Sequence, residues 1–254
     1  MGGVSQVIPA PKVGSPDGQA VWVQGLRKSF GYREALRGID LEIPAASCFV
    51  LFGPNGAGKS TLLRILSTRM RPSSGQIRIL GQDPARDGAA VRARLGVVFH
   101  EHFLRGDLTL DENLRYYAQL QGLPADLARA RGEELAAKFG LAPRRHDLVR
   151  TFSQGMVKRA TLMRSLLHGP RVWILDEPFS GLDPEGRALL EEMVREKRGE
   201  GCAVILVTHD VGVGLRLADG CVLLEDGALR ARGRSEVERY LDSRCRPAGK
   251  EGGE

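Results

Sequence analysis

The sequence predicts an α/β fold organised around a phosphate-binding loop and interrupted by a helical insertion. Three observations predict it. Short apolar runs that read as buried strands recur along the chain, among them Phe49-Val50-Leu51-Phe52, Val172-Trp173-Ile174-Leu175 and Ala203 to Val207. The first run leads directly into Gly53-Pro54-Asn55-Gly56-Ala57-Gly58-Lys59-Ser60-Thr61, which has the pattern G-x-x-x-x-G-K-[ST]. Residues 104–167 carry helical spacing with no strand-like alternation.

The elements follow in order. Residues 1–20 are rich in Gly, Pro and Ser and lack the apolar core of a signal peptide, so a flexible tail is expected. The main unit is expected over 21–241, its helical part at about 104–167, and a second flexible tail over 242–254. Val21 to Val23, Leu41 to Ile43 and Cys48 to Phe52 read as early strands. After the loop, Leu62, Leu63, Leu66 and Met70 share one helix face. Gln76 to Leu80 is a strand between turn-rich segments. Val91 to Leu95 closes a short helix, and Gly96 to Phe99 is a buried strand. Thr109-Leu110-Asp111-Glu112 is a capping box that opens a helix with Leu114, Tyr117 and Leu120 on one face. Pro124 and Pro143 break the helical stretch. A helix runs from Pro184 to Arg198, and Val222 to Arg230 is a hairpin on the Asp226-Gly227 turn. No internal repeat is present, so one nucleotide-binding unit is expected.

The chain has 254 residues and a net charge of +6. Its arginines are scattered and often alternate with acids, as in Glu191 to Arg198, so no dedicated nucleic-acid face is expected. A mild basic excess equally suits work beside an anionic membrane surface. No apolar run approaches the length of a membrane span, and a cytoplasmic location is expected. Cys48, Cys202, Cys221 and Cys245 form no C-x-x-C pair, which suggests reduced thiols, three of them packed as small hydrophobes.

The loop carries the chemistry. Its glycines let the backbone wrap a polyphosphate with several N–H groups pointing inward, and the following helix adds its positive end. Lys59 supplies a cation for the β- and γ-phosphates, and Ser60 a hydroxyl ligand for Mg²⁺. The strand Val172 to Leu175 ends in Asp176-Glu177. A loop of this kind needs a carboxylate at such a strand end to hold Mg²⁺, which fits Asp176. A neighbouring carboxylate can orient and deprotonate an attacking water, which fits Glu177.

With these residues in hand the chain resembles the nucleotide-binding subunit of ABC transporters, over about Val21 to Arg232. Ser180-Gly181-Leu182-Asp183 matches the family's D-loop, and Thr208-His209-Asp210 its switch histidine. Phe30 occupies the aromatic position that stacks on adenine, and Phe152-Ser153-Gln154-Gly155-Met156 the signature position. The resemblance implies a P-loop NTPase (RecA-like) core with an N-terminal antiparallel β part and an inserted α-helical subdomain. It implies ATP and Mg²⁺ as ligands, and two ATP molecules sandwiched between head-to-tail subunits. In that arrangement Ser153 and Gly155 face the partner's γ-phosphate, and His209 lies across from the partner's Asp183. A separate transmembrane permease and a second copy or related ATPase subunit are the implied partners. The chain would then be peripheral on the inner face of the membrane.

Two departures from the family pattern stand out. Phe152, Gln154 and Met156 replace Leu, Gly and Gln of the common signature, and a Gly at position 154 would matter if φ had to be positive. The family's glutamine after the strand Gly96 to Phe99 is replaced by His100 in an ungapped reading, or by Glu101 after a one-residue shift. His100 would contact Mg²⁺ and the attacking water and bring pH sensitivity. His100 and His102 could share a side of an extended segment, but no third metal ligand is evident. The histidine, the segment Glu112 to Ala118 and the altered signature narrow the resemblance to ATPases of cytochrome c-type haem exporters and the broader group of exporter motors.

Overall fold

The computed structural model describes residues 19–245. Gln19 and Ala20, expected in the first tail, instead open strand β1 (Gln19–Phe30). The rest of that tail, and residues 246–254 of the second, lie outside the described residues. β1 turns through Gly31 into β2 (Arg33–Pro44), and the two pair antiparallel. Both strands are far longer than the three-residue runs read from sequence. Their outer halves are polar and half-exposed, so hydrophobic patterning does not report them.

β3 (Cys48–Phe52) is buried along its whole length and feeds the loop at 53–58 and helix α1 (Lys59–Leu66). α1 ends before Met70, which the sequence places on its face; Thr68 at φ 62 has already turned the chain out of the helix. β4 (Ser74–Ile79) returns to pair with β1, completing a three-stranded antiparallel sheet. Helix α2 (Gly88–Arg92) and strand β5 (Leu95–Val98) follow.

The helical stretch holds α3 (Leu110–Leu120), α4 (Ala125–Lys138) and α5 (Gln154–Leu166), with two 3₁₀ turns between the last pair. The expected capping box opens α3: Thr109 accepts from the Glu112 N–H, and Glu112 accepts from the Thr109 N–H at 2.7 Å. The chain then alternates β6 (Val172–Asp176), α6 (Pro184–Gly199), β7 (Ala203–Val207), α7 (Val211–Leu217), β8 (Gly220–Glu225) and β9 (Ala228–Arg232). It closes with α8 (Arg234–Cys245), so Asp242 to Cys245, expected in the frayed tail, are helical. α7 and α8 went unread because the first is short and the second polar, with Val237, Tyr240 and Leu241 packing inward.

The main sheet runs β5-β6-β7-β3-β8-β9, parallel except for the final β8–β9 hairpin. Its central strands send alternate residues to opposite layers. Val50, Phe52, Trp173, Leu175, Val204 and Leu206 pack toward α3 to α8. Phe49, Leu51, Val172, Ile174, Ile205 and Val207 pack toward α1 and the antiparallel sheet. Burial on both faces explains why these strands read as continuous apolar runs. α5 lies close on β5 because Gly96 has no Cβ; one there would meet the Ser165 carbonyl oxygen at 2.4 Å. Among the described residues no helix is long and apolar enough to cross a membrane.

Candidate functional site

The loop before α1 is held from below. Gly227 N–H donates to Ala57 O at 3.0 Å, tying it to the β8–β9 turn. Gly53 has φ 146, and a Cβ there would lie 2.0 Å from Leu224 O. Gly58 has φ 106, and a Cβ would meet Ala35 O at 2.7 Å. No side chain other than hydrogen fits either position. Gly58 is also the N-cap of α1 and offers no side-chain cap, so the first-turn N–H groups point outward without one.

These groups open onto a cleft of about 570 Å³ lined by Asn55 to Thr61, Asp176, Glu177, His100, His209, Phe30 and Arg33. Gly53 and Pro54, expected on the phosphates, are not among the residues that line it. Their carbonyls accept from Lys59 Nζ at 2.6 and 2.8 Å. Lys59 is 7% exposed. Burial lowers its pKa, opposed by the charges of Glu177 and Asp176.

Asp176 ends β6 beside the loop. Burial raises its pKa, and a hydrogen bond from Ser60 and the charge of Lys59 work the other way. Glu177 leaves the strand with φ 49, in the left-handed region that a side chain occupies only under strain. Its backbone is clamped: its N–H donates to Val207 O at 3.0 Å, and Lys158 Nζ donates to its carbonyl at 3.1 Å. The turn swings the carboxylate toward His209, whose N–H donates to Oε2 at 3.2 Å. Oε1 lies 3.3 Å from His209 Nε2 but is buried without a hydrogen bond. Burial raises the Glu177 pKa, with the His209 contacts lowering it and Asp176 adding to the rise.

A hydroxyl and a carboxylate in contact, with an unsatisfied carboxylate oxygen close by, form the hard-oxygen set that suits Mg²⁺. The uncapped helix start and a buried cation suit a polyphosphate.

The remaining expected residues sort into two groups. Phe30, 49% exposed at the end of β1, and His100 after β5 are in the cleft. Glu101 turns away to Arg69 at 3.4 Å, and His102 Nδ1 accepts from the Leu104 N–H. Ser153, Gly155 and Asp183 are not in the cleft. Ser153 caps α5, accepting from the Met156 N–H at 3.3 Å. A Cβ on Gly155 would stand 3.6 Å from Gly181 O, and Asp183 caps α6 while pairing with Arg159 at 3.0 Å. Gln154 is the first helical residue of α5 and has no positive φ, so the absent glycine costs the backbone nothing. Lys158 and Arg33 were missed. No local pattern marks either; they reach the site only through packing of α5 and β2.

Fold and cleft together define a P-loop nucleotide hydrolase with an extra antiparallel sheet and a helical insertion. A family profile described as ABC transporter matches residues 36–180. The daunorubicin resistance ATP-binding protein DrrA3 of Streptomyces coeruleorubidus is 40% identical over 85% of this chain and 69% of its own length. The Nod factor export ATP-binding protein I of Ralstonia nicotianae is 35% identical over 89% of this chain and 70% of its own. A structure described as the ATP binding subunit of an ABC transporter matches with a TM-score of 0.82 and 29% identity, over 89% and 95% of the two chains. The chain belongs to the ABC transporter family as an ATP-binding, ATP-hydrolysing subunit. These relatives give the narrower resemblance to haem-exporter ATPases no support.

Proposed function

We propose that this chain is the motor of an exporter, moving its cargo through a separate membrane permease. It works head to tail with a second copy or a related subunit, peripheral on the inner face of the membrane. One observation carries the reading. Lys59, Ser60, Asp176, Glu177, His100 and His209 surround one cleft, while Ser153, Gly155 and Asp183 lie outside it. A single chain thus holds an ATP site without its signature half. Relatives named for daunorubicin resistance and Nod factor export support the export direction.

ATP enters with adenine against Phe30 and its phosphates on the N–H groups of 55–61. Lys59 turns from the Gly53 and Pro54 carbonyls to the β- and γ-phosphates. Ser60 and Asp176 would hold Mg²⁺, which supplies charge neutralisation at the transferred group. Glu177 accepts the proton of the attacking water. Its burial-raised pKa makes it a better base than a solvated carboxylate. His209 orients that water from the far side of Glu177, and His100 from the β5 end. The products are ADP and phosphate.

The test begins with mass spectrometry of what co-purifies with the tagged full chain from mildly solubilised native membranes. Vesicles holding the chain and its captured permease are then assayed for ATP-dependent uptake of daunorubicin. The expected result is a polytopic partner and uptake that Glu177→Gln abolishes. Cytochrome-maturation proteins as partners would redirect the cargo to haem. Capture of soluble proteins alone would overturn the exporter reading.

A further inference from the structure

A second large cavity, of about 510 Å³, opens along β4 of the antiparallel sheet. It shares no lining residue with the nucleotide cleft. Its volume lies within the roughly 300–1,000 Å³ common to small-molecule sites. The walls come from the end of α1, the segment joining it to β4, β4 itself and the turn before α2. β4 is the last strand of its sheet, so its outer edge offers backbone N–H and C=O groups that no neighbouring strand takes up.

The lining is strongly cationic. Arg71, Arg78, Arg86 and Arg92 converge on the cavity, and Asp83 is the one acid among the described residues that line it. Asp83 is already engaged. Its Oδ1 accepts from the Ala85 N–H at 2.9 Å, and its Oδ2 lies 3.9 Å from both Arg78 and Arg86. The side chains of Arg71 and Arg92 make no hydrogen bond or ion pair among the described residues. Arg145, Arg159 and Arg187, by contrast, each meet a carboxylate at 3.0 Å or closer.

An arginine beside water needs no partner, but a buried hydroxyl does. Thr68, just after α1, lines the same cavity. Its Oγ1 is buried and has no hydrogen-bond partner among the described residues. Its φ of 62 is a left-handed conformation that a β-branched residue adopts only under strain. Nothing within the described chain satisfies the hydroxyl. An acceptor in the cavity would satisfy it.

We propose that this cavity is an anion site for a phosphate group, separate from the nucleotide cleft. The guanidinium forks of Arg71 and Arg92 donate to the phosphate oxygens, the Thr68 hydroxyl donates a further bond, and Arg78 and Arg86 add charge. Forks on several walls suit the tetrahedral oxygens of a phosphate better than the planar pair of a carboxylate. The phosphate belongs either to a soluble phosphorylated compound or to the head group of an anionic phospholipid; the chemistry is shared. The inference does not depend on the exporter reading.

The experiment has two arms, both on the full chain. In the first, the threonine methyl groups are isotopically labelled and inorganic phosphate is titrated in while NMR spectra are recorded. Thr68 reports this cavity and Thr61 the nucleotide cleft. In the second, the chain is sedimented with phosphatidylcholine vesicles that contain or lack phosphatidylglycerol. A saturable shift of the Thr68 resonance would assign the site to a soluble phosphate compound. Binding only to the vesicles with phosphatidylglycerol would assign it to a head group. In the responding arm Arg71→Glu, on an exposed and unpaired side chain, should weaken binding about tenfold or more. Arg129→Glu makes the same charge change on exposed α4, outside the cavity, and should leave binding near wild type. Thr68→Val should weaken binding about three- to tenfold without lowering the melting temperature, since it removes an unsatisfied hydroxyl, and Thr68→Ser should retain it. A phosphate response confined to Thr61 together with no vesicle binding, or equal losses in Arg71→Glu and Arg129→Glu, would overturn the proposal.

Discussion

Two helices in this molecule begin at motifs expected to meet phosphate, and they begin differently. α1 starts at Gly58 with no side-chain cap, its first N–H groups turned into a cleft with a buried lysine. α5 starts at Ser153, whose hydroxyl already accepts from the Met156 N–H. The first helix start is completed only by a ligand. The second has one first-turn N–H capped within the chain and remains exposed. The contrast fits a protein in which one end of each chain grips the nucleotide and the other closes over a neighbour's. Side chains of α5 connect the two ends. Of two consecutive cations on α5, Lys158 reaches the Glu177 carbonyl at the cleft and Arg159 pairs with Asp183 outside it.

The comparison can be broken at either end. The largest effect is expected for Glu177→Gln, which should lower turnover by about 10²- to 10⁴-fold while leaving MgATP binding intact and trapping an ATP-bound dimer. Size-exclusion chromatography with ATP and a phosphate-release assay check both. The same variant should melt higher near neutral pH without nucleotide. Burial raises the folded pKa of Glu177, so the folded state holds a proton more tightly than the unfolded chain. The stability tied to that proton is full below the unfolded carboxylate value and is lost as pH rises through the folded one. A neutral Gln removes the loss. A lower melting temperature would contradict the desolvation argument.

Next in size is Lys59→Ala. Losing charge-assisted bonds worth roughly 1.5–3 kcal/mol should weaken MgATP binding about ten- to a hundredfold, measured by direct titration. Ser153→Ala separates cap from contact. A cap alone is worth about 1 kcal/mol, visible as a shift of a few degrees in melting. A phosphate contact in trans should add a fall of about tenfold in ATPase activity at saturating ATP. Unchanged activity would reduce Ser153 to a cap. The smallest effect is expected for His100→Ala, a fall in turnover of a few fold, well below the ~10²-fold typical of a lost transition-state donor. Turnover equal to wild type in the reconstituted complex would remove His100 from the site.

Much of this was readable before folding. The loop motif, the capping box at Thr109, the Asp176-Glu177 strand end and the Asp226-Gly227 turn are local, and each appears where expected. Their signal lies within a few residues, where backbone geometry and hydrogen bonding act directly. The double-sided burial of β3, β6 and β7 was equally plain, because strands covered on both faces must be apolar throughout.

Other features came only with tertiary structure. The sequence could not choose between His100 and Glu101; the cleft wall and Arg69 separate them. Lys158 and Arg33 carry no motif and are brought to the site by elements packed from elsewhere in the chain. The left-handed turn at Glu177 is imposed by contacts with β7 and α5. The division of the expected site into a cleft and a capped helix start outside it is likewise a matter of layer packing. Spacing along the chain determines which residues can do chemistry; burial and long-range contact decide which of them meet, what environment they titrate in and which stay apart.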